Sequence, residues 1–440
     1  MVVNTPEISE FSGAPEASGI VRLTARDVLR SPAVAPFIIA NSALYIGLML
    51  QAATLGKHIY DITGNTLDIG LLGLAEFLPV ALLVFVAGTV ADRYNRRRVA
   101  VFAMGGELAC SVALVFYALS NPTSVMPIFL IGIAYGASRA FVSPAMRSIA
   151  PMIAPEHGLP QMIAMYSTVW TGAMVIGPAM SGFLYAAAPW IAYSAAAVLI
   201  ALGIILISRI KLKIIVEPIV KPEKPTLHSA MEGLRFIKRT PILLAVISLD
   251  LFAVLFGGAI ALLPAIAEDQ LGVGDVAYGW LRAAAGIGAA STAVLLAVRP
   301  LRRHVGRAML IAVGVFGLGT IVLGATHNYW VAFFAVMILS AGDMVSVFVR
   351  GAIVPLVTPD DKRGRVSAVE NVFIGATNEL GAFESGAMAQ AVGVPATVIG
   401  GGIATLGIVG IWWLKFKDLR NVDTFDELVP VSSVDQVTQE

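Results

Sequence analysis

Long apolar stretches recur along the chain, separated by short polar interruptions. They fall at about 34–59, 68–91, 99–120, 125–149, 160–187, 189–209, 241–267, 275–298, 307–326, 329–357, 365–391 and 395–416. A helix needs about 20 consecutive apolar residues to cross a bilayer. In lipid each segment must satisfy its own backbone hydrogen bonds, so every stretch reads as a helix, whereas a barrel would show short alternating segments. The pattern predicts an all-α membrane protein with 12 transmembrane helices.

Composition narrows the class. Of 440 residues, 57% are hydrophobic and 13% charged, against roughly 25% charged in soluble domains. Disordered, collagen-like and disulfide-framework classes are excluded. The one cysteine, Cys110, lies in an apolar run and can form neither an intrachain bridge nor a zinc cluster. His58, His157, His228, His304 and His327 lie in loops or at span ends, with no two at metal-ligand spacing. No metal, no cofactor and no enzymatic constellation are expected. A net charge of +1 argues against nucleic acid as a partner. Residues 1–30 carry Glu7, Glu10 and Glu16 without the apolar core of a signal peptide, and read as a cytosolic tail.

Charge placement tests the span layout. Arginines 22, 26 and 30 precede the first span, Arg93, Arg96, Arg97 and Arg98 follow the second, and Arg147 closes the fourth. Further basic groups follow spans six, eight, ten and twelve. In all, 26 of the 30 lysines and arginines fall on one side. The positive-inside rule makes that side cytosolic, with both termini inside a cell membrane crossed many times.

The chain also repeats itself. A shift of 209 superposes Arg30-Ser31-Pro32 on Arg239-Thr240-Pro241 and Gly70 on Gly279. A shift of 204 superposes Pro155-Glu156 on Pro359-Asp360, Gly177 on Gly381 and Gly182 on Gly386. The expected organisation is a tail at 1–30, a six-helix bundle at 31–210, a linker at 211–240, a second bundle at 241–417 and a tail at 418–440. Leu227, Met231 and Leu234 beside Arg235, Lys238 and Arg239 suggest an interfacial amphipathic helix in the linker, with a plain connection as the alternative. Two parallel six-helix repeats with a site between them at mid-depth form a transporter architecture.

The stretch Gly88-Thr-Val-Ala-Asp92-Arg93-Tyr-Asn-Arg96-Arg97-Arg98 resembles the cytosolic signature of the major facilitator superfamily, Gly-x-x-x-Asp-Arg-x-Gly-Arg-Arg/Lys. Asn95 replaces the glycine and still tolerates a left-handed turn. The resemblance implies the major facilitator fold, with a cytosolic gate between pseudo-symmetric halves built on Gly88, Asp92, Arg93, Arg96 and Arg97. The alternative is that the arginines only set topology. In span five, Gly172, Gly177, Pro178 and Gly182 resemble the Gly-Pro-x-x-x-Gly element of antiporter and exporter branches. Tyr60-Asp61-Ile-Thr63-Gly64, Gly136-Ala-Ser-Arg139, Pro144-Ala-Met-Arg147 and Gly233-Leu-Arg235-Phe236 resemble the bacterial enterobactin-exporter and drug-efflux group.

A charge inside the membrane costs about 3 kcal/mol even on the insertion scale, so each needs a partner or a task. Asn41 and Asp250 are 209 apart, Arg139 and Asp343 are 204 apart, and each pair lies at matched depth. The repeat therefore brings Asn41, Arg139, Asp250 and Asp343 toward one central region. Asp250 and Asp343 are candidate proton carriers, with Arg139 and Arg350 as guanidinium partners; static ion pairing is the alternative for each. Glu107 in span three is a structural or proton-linked acid, and Glu76 in span two a second proton or exit-gate candidate. Glu370, Asn371, Asn378, Glu379 and Glu384 make span eleven unusually polar, and Arg282 could pair with one of them. Tyr45, Phe77, Tyr166, Trp170, Phe252, Phe256, Phe348 and Phe373 offer aromatic surface to an amphipathic ligand.

The expected function is proton-coupled efflux of a small amphipathic organic compound by alternating access. Small-molecule substrate, protons and the lipid bilayer are the partners, and the protein is expected to be a monomer. A proton-symport importer and a non-transporting membrane sensor are the alternatives.

Overall fold

The structure, a computed structural model, describes residues 24–210 and 227–430. The rest of both tails and of the linker lies outside the described residues, as does the side chain of Asp92. Short polar residues write the reversals between spans. Helix α1 (Ala25–Leu29) is capped by the Thr24 side chain and buries Val28. Helix α2 (Val34–Thr63) ends at Gly64, whose φ of 59° is left-handed backbone that glycine adopts without strain. The Asn65 side chain then accepts from Leu67 N at 2.8 Å and starts α3 (Thr66–Arg93). Asn95 opens α4 (Arg96–Leu119) in the same way, accepting from Arg98 N at 3.2 Å. Its φ is −60°, so the residue in the signature's glycine position works as a helix cap and not as a left-handed turn. Helices α5 (Met126–Ile153), α6 (Leu159–Ala187) and α7 (Pro189–Arg209) each carry proline in the first turn, where a missing N–H leaves no bond unmade.

The linker's described part is helical: α8 (Leu227–Arg239) buries Phe236 and Ile237. Span seven departs from the expected single helix. It breaks after α9 (Pro241–Phe256) into a 3₁₀ turn at Gly258–Ile260, the short α10 (Leu263–Ala265) and a π-helical turn at Ile266–Gln270. The break lies at Gly257 and Gly258, where a Cβ on Gly258 would stand 2.6 Å from the Gly381 carbonyl oxygen. Helices α11 (Asp275–Val298), α12 (Val305–Ala325), α13 (Tyr329–Val357), α14 (Asp360–Val392) and α15 (Val394–Lys415) complete the second half. Beyond them α16 (Lys417–Asn421) and a 3₁₀ turn at Phe425–Glu427 stay attached: Leu419 is fully buried, and Val305 N and Gly306 N donate to Asp423 O and Val422 O. The tail expected from 418 is thus docked as far as these residues.

Among the described residues, eleven spans are long and apolar enough to cross a membrane; α14 is the twelfth long helix, and its acids keep it out of that set. In the first half α2 packs on α6 and α7, and α5 on α3 and α4. In the second, α12 packs on α13 and α15, while α9 lies against α14 and α15. The halves join along α6 with α11 and α3 with α14.

Candidate functional site

Glycines set both inter-half crossings. A Cβ on Gly182 would stand 2.8 Å from Gly279 Cα, and one on Gly279 would stand 2.6 Å from Gly182 Cα. At the other crossing a Cβ on Gly70 would lie 2.8 Å from Phe383 Cα, and one on Gly386 would lie 2.6 Å from Thr66 O and 3.3 Å from Gly70 Cα. Thr66 adds a hydroxyl donating to Gly386 O at 3.0 Å. These four glycines are among those that the two sequence shifts superpose. Each crossing is the repeat image of the other, and small residues permit it because backbones in a membrane associate through close packing.

An ionic network lies over the crossings, on the face opposite the arginine-rich loops. Lys57, nearly buried at the end of α2, donates to Asp61 and, at 2.7 Å, to Glu268 Oε2 of the π-helical turn, and lies 3.6 Å from Asp275 Oδ1 of α11. The Tyr60 hydroxyl donates to Asp269, the Tyr185 hydroxyl to Asp61 at 2.6 Å, and the Tyr278 hydroxyl to Ala53 O at 2.9 Å. These contacts bind α2 to the second half and close that face. Halfway along, α6 still touches α11, where a Cβ on Gly286 would meet Met174 O at 2.6 Å. Toward the arginine-rich face the same helices present exposed Ile163 and Leu295. The sequence placed Lys57 on this side and missed its partners; the π-helical turn that aims Glu268 and Asp269 has no simple sequence mark.

At mid-depth the charges form two groups. In the second half Asp250 of α9 pairs with Arg350 of α13, whose Nε lies 3.2 Å from Glu370 Oε1 of α14. The Ser346 hydroxyl donates to Asp250 at 3.4 Å, and Asp343, one turn from Ser346, lies within electrostatic reach of Asp250 and Arg350. The other group straddles the seam. Arg139 of α5 interacts electrostatically with Glu76, Glu107, Glu379 and Tyr135. Gly136 lets α5 rest on the backbone of Glu76, and the Glu379 carboxylate from α14 lies over Gly73 of α3. Arg282 of α11 donates to the Tyr278 hydroxyl at 3.3 Å, packs beside Gly56 and reaches Glu76 electrostatically.

This arrangement corrects the expected single convergence. Asp250 and Asp343 meet Arg350, whereas Arg139 sits with Glu76 and Glu379, because each guanidinium takes the acids that its own helix crossing brings near. Asn41 joins neither group: it is fully buried and its amide donates to Phe37 O of its own helix at 2.8 Å. Glu107 is fully buried, with neither carboxylate oxygen accepting a hydrogen bond. In α14, Glu370 and Glu379 serve the two groups, while Asn371 and Asn378 donate to carbonyls of their own helix. Of the aromatics, Tyr45, Tyr166 and Trp170 form a cluster: the Tyr45 and Tyr166 hydroxyls touch, and the Tyr45 and Trp170 rings stack edge to face at 5.0 Å. Phe77 packs at the seam beside Gly375, whereas Phe252 stacks on Trp412, Phe348 on Phe425, and Phe256 and Phe373 pack on the second-half core.

In the basic signature, Arg97 donates to Ile210 O at 2.7 Å and Arg96 to Met152 Sδ at 3.8 Å, both within the first half; Arg93 is exposed and Gly88 faces open space. In span five Gly177 packs on Met49 and Leu50 of α2, Pro178 is buried in the helix interior, and Gly172 is unobstructed.

The profile of a family described as transmembrane secretion effectors matches residues 25–436. The multidrug efflux pump Tap of Mycolicibacterium fortuitum is 25% identical over 385 residues, 81% of this chain and 89% of that protein. The enterobactin exporter EntS of Shigella boydii is 25% identical over 295 residues, 65% and 70% of the two chains. Among solved structures, a bacterial homologue of the human lysosomal transporter Spinster superposes with a TM-score of 0.66 at 17% identity, covering 89% of this chain and 96% of that one. A D-xylose-proton symporter gives 0.66 at 14% identity, covering 87% and 97%.

Proposed function

Because the chain belongs to the transmembrane secretion effector family of major facilitator transporters, we propose that it exports a small amphipathic organic compound by proton-coupled alternating access. The arginine-rich loops then face the cytosol of a bacterial cell, by the positive-inside rule. The observation that carries the reading is the seam group: acids and guanidiniums from both halves, Glu76 and Arg139 with Glu379 and Arg282, lie within electrostatic reach of one another at mid-depth beside a seam tied on one face by the Lys57 network. Rocking one half against the other changes the distances between these charges, and a proton on an acid changes their balance. Export is favoured by the efflux roles named for the two relatives. The Tyr45–Tyr166–Trp170 cluster supplies flat apolar surface with hydroxyl edges, which suits an amphipathic ligand.

In this reading Asp250 and Asp343 share one cation, Arg350, so protonation of one acid eases the charge of the other. A proton moving inward gains about 2.3 kcal/mol per 100 mV. The test is flux of an amphipathic dye in proteoliposomes with an imposed pH gradient. Asp250→Asn, Asp343→Asn and Glu76→Gln should each lower gradient-driven flux at least tenfold while leaving dye exchange without a gradient. Gradient-driven flux equal to wild type in all three would overturn the coupling role.

A further inference from the structure

On the surface of the first half, α3, α4 and α5 line a groove of about 570 Å³ near the arginine-rich face. Ala103, Ala137 and Ser138 leave its floor open, and Phe102 and Phe141 wall it. Phe102 is 80% exposed, so the groove faces away from the protein interior. These helices are apolar enough to cross a membrane, and whatever fills an apolar groove there comes from the lipid phase. At its mouth stands Arg98. Its neighbour Arg97 is tied to Ile210 O and Arg96 leans on Met152, but the exposed Arg98 guanidinium has no acidic partner among the described residues. Asn95 and Tyr94 lie beside it.

We propose that this groove binds one anionic phospholipid, with an acyl chain along Phe102 and Phe141 and the phosphate on Arg98. A volume of this size holds one ligand of drug size. A guanidinium offers a phosphate two parallel charge-assisted hydrogen bonds, and basic pockets between spanning helices are suited to anionic headgroups. None of the residues lining the groove belongs to the inter-half charges, and the proposal does not depend on the transport reading.

The test is native mass spectrometry of the full chain in detergent, with phosphatidylglycerol or phosphatidylcholine of identical acyl chains. Wild type is expected to retain one phosphatidylglycerol in preference to phosphatidylcholine. Arg98→Gln should weaken phosphatidylglycerol retention about fivefold, the effect of one basic residue at a membrane surface, while Arg303→Gln, an exposed arginine on the same face, should not. Ala137→Leu, which fills the floor, should lower retention of both lipids, and excess inorganic phosphate should not displace the lipid. Arg98 is exposed, so its variant keeps the test valid even where the filled variant fails to fold. Equal retention of the two lipids by wild type, no effect of Arg98→Gln, displacement by phosphate, or a second copy of the chain in place of lipid would each overturn the proposal.

Discussion

Gly182 and Gly279 meet backbone to backbone, one from each half, with no room for a methyl group on either. The same meeting recurs at Gly70 and Gly386, their repeat images. Closure of this face rests on those two crossings together with the Lys57 network, so changes there act on the balance between open and closed forms more than on either half alone.

Gly182→Val should therefore open the closed face. Overpacking costs about 1–3 kcal/mol, and only the closed form bears it, a shift of roughly 5- to 150-fold. A cysteine at Ala53, buried behind the seam, introduced with Cys110→Ser, reports the change: its labelling by an impermeant maleimide should rise by that factor. Gly73→Ala is the contrast. Its new methyl crowds only the movable end of Glu379 and lies in ordinary contact with Ala382 Cβ, so labelling should stay near the parent's value.

Lys57→Met leaves Asp61, Glu268 and Asp275 facing one another without a cation. The acids are 30%, 50% and 31% exposed at their side chains, which keeps the loss below that of a fully buried pair. About 1–3 kcal/mol of closed-state stability should go. Spin labels across this face, read by pulsed dipolar spectroscopy, should move to longer distances; an unchanged distribution counts against the lysine as a latch.

Arg350→Met strands Asp250 and Glu370. Removing one partner of a buried pair costs about 3–5 kcal/mol, whereas replacing both by apolar groups is often close to neutral. The single variant should melt well below wild type in detergent, and Arg350→Met with Asp250→Leu should recover part of the loss, Glu370 still lacking its cation. A double variant no more stable than the single would show that the pair is not the source.

Trp170→Ala removes a half-exposed ring stacked on Tyr45 without emptying the core. Binding of an amphipathic dye should weaken about tenfold, from a lost aromatic contact of about 0.5–1.5 kcal/mol plus its buried area. Phe252→Ala, whose ring stacks on Trp412, should bind the dye like wild type.

Much of this could be read in advance where the cause is local. The span at 189–209 coincides with α7 because an apolar run and its flanking Pro189 and Arg209 define both ends. Span seven did not yield to the same logic: its hydropathy is continuous, and the break falls at Gly257 and Gly258, where Phe316 and α14 approach too closely for any side chain. Arg350 was legible beside Asp343, seven residues away on the same helix, but the repeat grouped Asp250 and Asp343 with Asn41 and Arg139. Glu379 was legible as a polar oddity but not as a neighbour of Arg139, since that depends on which helix face α14 turns to α3.

The sequence by itself determined how many times the chain crosses, which loops share a face and that the halves repeat. Those properties follow from hydropathy and charge read along one dimension. Only the tertiary structure decided which charges meet, that Asn41 stays inside the first half, and that Lys57 joins acids of both halves. Partnership between helices depends on their rotation and depth, and these are fixed where glycines let two backbones touch.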